Sequence, residues 1–509
     1  MKNLLSLLNG INFQLLQGSL ETKISSIQYD SRKCEENSLF VAITGEQFDG
    51  HIFIESAIEK GANTILCEKT DFEFNNNTTI IKVENSRQAL AHLSHNWFGN
   101  PTKDMYVVGI TGTNGKTTTT FLLKSIFEEA GFKCGIIGTT GIIIGDEFIP
   151  ATHTTPESLE LASIFNQMKD KSVNFVAMEV SSHALHQHRA DCIDFDAALF
   201  SNLTLDHLDY HKTMKDYANA KKILFDSMKS DSIAISIFNE SWTDYLLKDC
   251  KSGTKFIVSE KSDNDICIQN ITLNSNGSEF SLKATEKEIK IKSPLIGKFN
   301  IENLSLAVTL AYAKGIENEI IQEALLNATG APGRMQKVIL KNGAVGIVDY
   351  SHTPDALEKA LLTCREILNS SNLEDRKLIC VFGCGGDRDK SKRPKMGNIA
   401  AIHSDIVIVT DDNPRTEISE EIIADIFQGI SEVQMTKVNM ISNRAKAIAY
   451  AVKIAQDGDI ILVAGKGHEN YQIIGKTKHH FDDVEELMKI QNSGVANDIV
   501  TFVCHFETK

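Results

Sequence analysis

The sequence predicts an α/β protein of three domains: a small α/β domain over residues 1–99, a central domain over 100–332 with a mainly parallel sheet, and a Rossmann-like α/β domain over 333–509. Three observations lead there. The length of 509 residues corresponds to about three domains of ~150 residues each. Short runs that are apolar on both faces alternate with helical stretches, the pattern of buried parallel strands. A glycine-bearing turn stands between a strand and a helix at residues 112–116.

The elements follow in order. The opening MKNLLSLLNG has no small-residue cleavage site and reads as a first helix rather than a signal peptide. Up to about Trp97, the apolar runs at 38–43, 64–67 and 79–83 read as strands and 51–60 as a helix. The pattern restarts near Asn100-Pro101 with a strand at 106–111, then a helix to Ala130 stopped by Gly131. Further strands are expected at 134–138, 175–180 and 197–201. A polar β-rich stretch at about 250–293 interrupts the alternation, and a helix follows near 303–314. Beyond Ala331-Pro332-Gly333, strands at 345–349, 378–383, 406–410 and 460–464 alternate with helices starting near Pro354, Pro394, Ser419 and Asn443.

Composition limits the partners. The chain is 42% hydrophobic and 23% charged, without an apolar run near the ~20 residues a bilayer crossing needs. Its 52 Lys+Arg against 67 Asp+Glu give a net charge of −15, so neither nucleic acid nor a membrane surface is an expected partner. An anionic substrate requires a local basic pocket. Ten cysteines lie scattered from Cys34 to Cys504 with no paired CxxC pattern, and the closest two, Cys380 and Cys384, bracket an apolar run. Reduced thiols and a cytoplasmic location are expected.

The sharpest motif is Gly112-Thr113-Asn114-Gly115-Lys116-Thr117-Thr118. Between a strand and a helix, its glycines let backbone N–H groups close around phosphate oxygens, Lys116 places a cation on the β- and γ-phosphates, and Thr117 can reach Mg²⁺. The strict spacing wants glycine where Ile110 stands, so this is a shortened variant. ATP as co-substrate and a central P-loop ATPase domain follow.

In the same domain Glu179 ends a strand and His207 follows another, where parallel strands present their ligand-binding edge. Mg²⁺ prefers oxygen, so Glu179 is a natural ligand and His207 less so. The alternatives are a hydrogen-bonded buried acid and a helix-start residue. The i,i+4 spacing of His207 and His211 also allows a zinc pair.

The runs Thr111-Gly-Thr-Asn-Gly-Lys-Thr117, Met178-Glu-Val-Ser-Ser-His183, Thr204-Leu-Asp-His-Leu-Asp209 and Gly297-Lys-Phe-Asn-Ile-Glu-Asn303 resemble the Mur ligases, ATP-dependent amide-forming enzymes of peptidoglycan precursor synthesis. Tyr29-Asp-Ser-Arg32, Thr154-Thr-Pro156, Gln187-His-Arg189, Gly385-Gly-Asp-Arg-Asp389, Asp412-Asn-Pro-Arg415 and Gly465-Lys-Gly-His-Glu469 are similar to the branch that adds the third peptide residue as meso-diaminopimelate. The likeness runs in consistent order from about Gln28 to Val484. The stretch 492–509 extends past the usual end of such sequences.

The resemblance implies a first domain for the uridine nucleotide, a central ATPase and a last domain for the amino acid. It implies transfer of the ATP γ-phosphate to the D-glutamate side-chain carboxylate of UDP-N-acetylmuramoyl-L-alanyl-D-glutamate, then attack of the diaminopimelate amine on the acyl phosphate. Lys116, Glu179, His207 and Lys221 become catalytic, with Thr117, Glu179, His207 and a carbamate on Lys221 as Mg²⁺ ligands. Unmodified, Lys221 would be a solvated helix lysine like Lys222. Ser31, Thr154, Thr155, Ser181, Gln187 and Arg189 are assigned to the uridine substrate. Asn303, Arg334 and Asp349 are assigned to ATP, with closure at the 331–333 hinge bringing Arg334 to the nucleotide. Arg388, Asp412, Asn413, Pro414, Arg415, Gly465 and Glu469 are assigned to diaminopimelate. Arg415 can pair with the carboxylate that distinguishes diaminopimelate from lysine. A lysine-adding relative and a folylpolyglutamate synthase are the alternatives, and a monomer is expected.

Overall fold

The computed structural model describes every residue except 46–47, 71–76, 152, 275–276, 285–286, 371–374 and 494–509. The chain divides into two compact units, residues 1–267 with 305–321, and 268–304 with 322–509.

In the first unit, residues preceding Asn100 carry a five-stranded sheet in the order Gln14–Gln17, Thr79–Lys82, Ala62–Cys67, Ser38–Val41, Ser26–Gln28. The first pairing is antiparallel and the rest parallel. The N-terminus departs from expectation. Lys2–Asn3 pairs antiparallel with Lys23–Ile24, and only Leu4–Leu7 is helical, with the Asn3 side chain accepting from the Leu5 N–H. The expected helix at 51–60 is a 3₁₀ turn Gly50–Phe53 followed by Ile54–Glu59.

The central sheet of this unit places Tyr106–Thr111 between Phe175–Glu179 and Ala197–Phe200, all parallel. Cys134–Gly138, Ile233–Ile237 and Thr254–Ser259 continue it in parallel on either side. Val107, Val108 and Ile110 are wholly buried, as are Val176, Ala177 and Met178, because helices such as Lys116–Glu129 and Ser158–Asp170 cover both faces. Beyond the expected strands, Gly141–Ile144 and Glu147–Ile149 extend one edge antiparallel.

The polar stretch near 250–293 is β-structured, ending in the hairpin Gly277–Ala284 with Lys287–Ser293. The next helix begins earlier than expected, at Lys298, and runs to Ala313. In the second unit six strands order as Gln336–Ile339, Val345–Asp349, Ile460–Ala464, Leu378–Phe382, Ile406–Val409, Val438–Met440. Only the first is antiparallel. Helices start at Pro354, Lys392, Ser419 and Arg444.

Among the described residues no helix is long and apolar enough to cross a membrane, and no disulfide joins two of the described cysteines. The extension at 494–509 lies outside the described residues.

Candidate active site

The phosphate loop is built as its sequence requires. Gly112 has φ +148, and a Cβ there would stand 2.0 Å from Ser201 Oγ. Ser201 Oγ donates to the Asn114 carbonyl at 2.5 Å, and the Asn202 carboxamide oxygen accepts from Asn114 N–H at 3.0 Å. The loop is therefore clamped by the end of the neighbouring strand, with helix Lys116–Glu129 following Gly115. Lys116 Nζ donates to the carbonyls of Gly112 and Thr113, at 2.9 and 2.8 Å.

Lys221 Nζ donates to the same Gly112 carbonyl at 2.9 Å. This lysine is 1% exposed and its ammonium lies 4.5 Å from the centre of the Tyr217 ring. Burial above all, and then the nearby Lys116 charge, push its pKa well below the usual lysine range. Lys221 is not a solvated helix lysine. Its neighbour Lys222, by contrast, pairs with Asp226 and with Asp249 at 2.7 Å. A buried amine that is readily neutral is the form that adds carbon dioxide.

Glu179 is 1% exposed. Its carboxylate accepts from Thr139 N–H at 2.8 Å and Thr139 Oγ1 at 3.1 Å, so each oxygen keeps lone-pair capacity. His207 starts the short helix Leu208–His211 in a left-handed conformation, φ +53. Burial lowers its pKa, which keeps the ring neutral as a metal ligand must be. Among the described residues no three His, Cys, Asp or Glu converge on a metal position. A Mg²⁺ set drawn from the expected residues would add the Thr117 hydroxyl and a Lys221 carbamate to Glu179 and His207, three oxygen donors of the kind this ion prefers and one nitrogen. The zinc alternative finds no third ligand among the described residues, and His211 Nε2 is engaged by Ser182 Oγ at 2.9 Å.

A cavity of about 460 Å³ is lined by Arg87, His153, Thr154, Thr155, Ser181, His183, Gln187, Arg189 and His207. It brings together five of the six residues assigned to the uridine substrate. Ser31 is not among the lining residues and sits buried in the turn Ser31–Lys33. Thr155 Oγ1 donates to the Glu179 carbonyl at 2.9 Å and accepts from Ser181 N–H at 3.0 Å. Arg189 donates to Gln187 Oε1 at 2.6 Å and to the Thr155 carbonyl at 3.2 Å. Sequence reasoning missed Arg87, His153, His183 and Thr139. His183 ends a quoted motif, whereas Arg87 sits in an unremarkable amphipathic helix.

The second unit holds a separate polar cluster. Asn413 Nδ2 donates to Glu469 at 2.9 Å, and its oxygen accepts from Lys466 Nζ at 3.2 Å and Ile473 N–H at 2.9 Å. Lys466 is wholly buried and also lies 3.4 Å from Glu469 and 3.8 Å from Asp412. It too was missed, although it stands inside the Gly465 to Glu469 motif. Arg415 has φ +53 and donates to the Gly386 carbonyl at 2.8 Å. A Cβ on Gly386 would stand 1.9 Å from the Pro414 carbonyl oxygen, so only glycine lets the two loops meet. Arg388 is exposed and donates to the Asp387 carbonyl at 3.0 Å.

In the same unit the Arg334 guanidinium lies 4.7 Å from the centre of the Tyr350 ring, which neighbours the rings of His352 and His468 at 4.5 and 5.0 Å. Asp349 accepts from Met335 N–H at 2.8 Å and from Ser351 Oγ, and burial raises its pKa. Asn303 donates to Asn300 Oδ1 at 3.1 Å.

These parts, a clamped phosphate loop, a buried lysine and carboxylate beside it and a cation-lined cavity, define an ATP-using ligase core. Three family profiles match the chain: Mur ligase family, catalytic domain, at 23–98; Mur ligase middle domain at 110–311; and Mur ligase, glutamate ligase domain, at 333–467. A protein of Clostridium tetani named UDP-N-acetylmuramoyl-L-alanyl-D-glutamate--2,6-diaminopimelate ligase is 43% identical, over 95% of this chain and 98% of its own. The protein of the same name from Geobacillus thermodenitrificans is 41% identical, over 90% and 93%. A solved structure with that ligase's name superposes with a TM-score of 0.71 at 33% identity, covering 97% of this chain and 99% of the other. The folylpolyglutamate synthase of Thermotoga maritima shares the fold, with a TM-score of 0.59 at 16% identity, over 81% and 94%. The chain belongs to the Mur ligase family, and its architecture is that family's three-domain α/β fold.

Proposed function

We propose that this chain is the ATP-dependent ligase that joins meso-diaminopimelate to the D-glutamate of UDP-N-acetylmuramoyl-L-alanyl-D-glutamate, in peptidoglycan precursor synthesis. The observation that carries this reading is the 43% identity across 95% of the chain to a relative of that name. Lysine addition and folylpolyglutamate synthesis have no comparable support.

The residues supply what the reaction demands. Two anions, a carboxylate and a triphosphate, must approach in line, so cations and positioning dominate the barrier. The loop 112–118 and Lys116 hold the triphosphate. Thr154, Thr155, Ser181, Gln187 and Arg189 orient the uridine substrate so that its D-glutamate side chain faces the phosphate loop. Thr117, Glu179, His207 and carbamylated Lys221 would hold Mg²⁺, which when bound neutralises the two anions. Asn303, Arg334 and Asp349 serve the ATP adenosine. Asp412, Asn413 and Glu469 receive the diaminopimelate amine end, while Arg415 and Arg388 take its carboxylates. The division of roles follows residues 1–99, 100–332 and 333–509. We assign the protein to the cytoplasm, where its nucleotide substrates are, and to a monomeric state.

The test is to incubate the protein with ATP, Mg²⁺, the uridine substrate and meso-diaminopimelate, and to weigh the product. One mole of tripeptide nucleotide per mole of phosphate is expected. Phosphate release without an amide product would overturn the reading.

A further inference from the structure

The cavity beside the phosphate loop has a lining of unusual charge. Its nine residues include two arginines and three histidines and no aspartate or glutamate, within a chain of net charge −15. Arg189 was assigned from its motif, but Arg87 belongs to no motif. It stands in the first turn of helix Ser86–Phe98.

The two arginines share a carboxylate behind the lining. Glu157, which starts helix Ser158–Asp170, lies 3.1 Å from Arg87 Nη1 and 3.5 Å from Arg189 Nε. All three side chains are largely enclosed, at 15–20% exposure. Glu157 and, one turn on, Glu160 are not among the lining residues, so the wall turned to the cavity carries the two guanidinium groups and no carboxylate. Among the described residues the recorded contact of Arg87 uses Nη1 alone, which leaves Nε and Nη2 of its fork for a ligand. Tyr29 Oη donates to Glu160 at 2.7 Å, one turn further along the Glu157 helix, and fixes that helix against the first sheet.

We propose that Arg87 is a further substrate-binding residue, pairing with Arg189 across Glu157 to hold an oxyanion of the uridine substrate. This deepens the functional reading above and rests on it. The shared chemistry is a paired, charge-assisted contact to a carboxylate or a diphosphate oxygen.

The experiment measures binding by calorimetry and steady-state kinetics for the wild type, Arg87→Gln, Arg87→Lys and Glu157→Gln. Wild-type turnover comes first: its absence would sink the functional reading itself, whereas the variants bear only on Arg87. Arg87→Gln is expected to raise the Kd and KM for UDP-N-acetylmuramoyl-L-alanyl-D-glutamate on the order of tenfold or more, with the KM for ATP and diaminopimelate unchanged. Arg87→Lys, which keeps the pair with Glu157 but loses the fork, should fall between. Glu157→Gln leaves both arginines in place and should bind the substrate at least as well as the wild type. If the loss in Arg87→Gln extends to UDP-N-acetylglucosamine, which keeps the diphosphate and has no carboxylate, the diphosphate is the partner; if UDP-N-acetylglucosamine is unaffected, a carboxylate is. Unchanged substrate affinity in Arg87→Gln, or equal losses in Arg87→Gln and Glu157→Gln, would overturn the proposal and leave Arg87 as packing for Glu157.

Discussion

The two polar centres of the molecule handle charge in opposite ways. Around the phosphate loop, basic side chains crowd one another: Lys116 and Lys221 donate to the same Gly112 carbonyl, and Arg87 and Arg189 share one glutamate. Around Asn413, charges meet their opposites. Lys466 stands among Asn413, Glu469 and Asp412, and Arg393 pairs with both Glu417 and Asp425 at 2.9 Å. An excess of basic side chains is what a site for triphosphate and carboxylates requires. A zwitterionic amino acid is better met by a balanced cluster with both signs on offer.

This contrast can be broken, and Lys116 should break it most. Lys116→Ala removes the cation proposed for the β- and γ-phosphates, and kcat is expected to fall about a thousandfold. Phosphate release within tenfold of wild type would show that the crowded cations are not there for ATP.

Lys221→Ala follows, with an expected loss of about a hundredfold or more, while Lys222→Ala, which loses only pairs to the exposed Asp226 and Asp249, stays within about twofold. Adding bicarbonate should stimulate a dialysed wild-type sample and leave Lys221→Ala unmoved. Full activity of Lys221→Ala without added carboxylate would remove this lysine from the chemistry.

In the second unit, Arg415→Ala should raise the KM for diaminopimelate between about tenfold and a hundredfold and leave the KM for ATP alone. An unchanged KM for diaminopimelate would show that the Arg415 loop serves only to pack against Gly386.

Smallest is the effect of pH on stability. His95, buried in the first unit, has its pKa pushed down to about 4 by burial. Its folded pKa lies below the unfolded value near 6.5, so its contribution is complete above about pH 6.5 and declines toward pH 4, by at most ~1.4 kcal/mol per pH unit. Asp411 in the second unit runs the other way, raised to about 6 by burial. Its contribution is present below about pH 3.8 and is lost as pH rises through 6. Acidifying from pH 7 to 5 should therefore loosen the first unit relative to the second. Hydrogen exchange, corrected for the intrinsic rate, reads this segment by segment, and equal loosening of both would contradict it.

Much of this was legible in the sequence, unevenly. Strands 106–111, 134–138, 345–349 and 460–464 have the expected bounds, because a parallel strand buried on both faces leaves a continuous apolar run. The short strands Gly141–Ile144 and Glu147–Ile149 escaped because segments of four and three residues next to glycine turns carry little pattern. The first helix shrank to one turn because Lys2 and Asn3 pair with a strand twenty residues on, a tertiary contact that no local propensity encodes. In the candidate site, Lys116, Glu179 and Arg415 stood out because they sit in motifs of fixed composition. Arg87 and Lys466 were not, since what singles them out is which carboxylates they meet in space.

The most direct test of the central claim is Mg²⁺-dependent phosphate release with ATP and UDP-N-acetylmuramoyl-L-alanyl-D-glutamate, comparing meso-diaminopimelate with L-lysine as the amine. Rapid turnover with diaminopimelate and little with lysine is the expected result. Turnover with lysine alone would keep the ligase and reject the role given to Arg415, and silence with both would contradict the assignment of this chain's substrates.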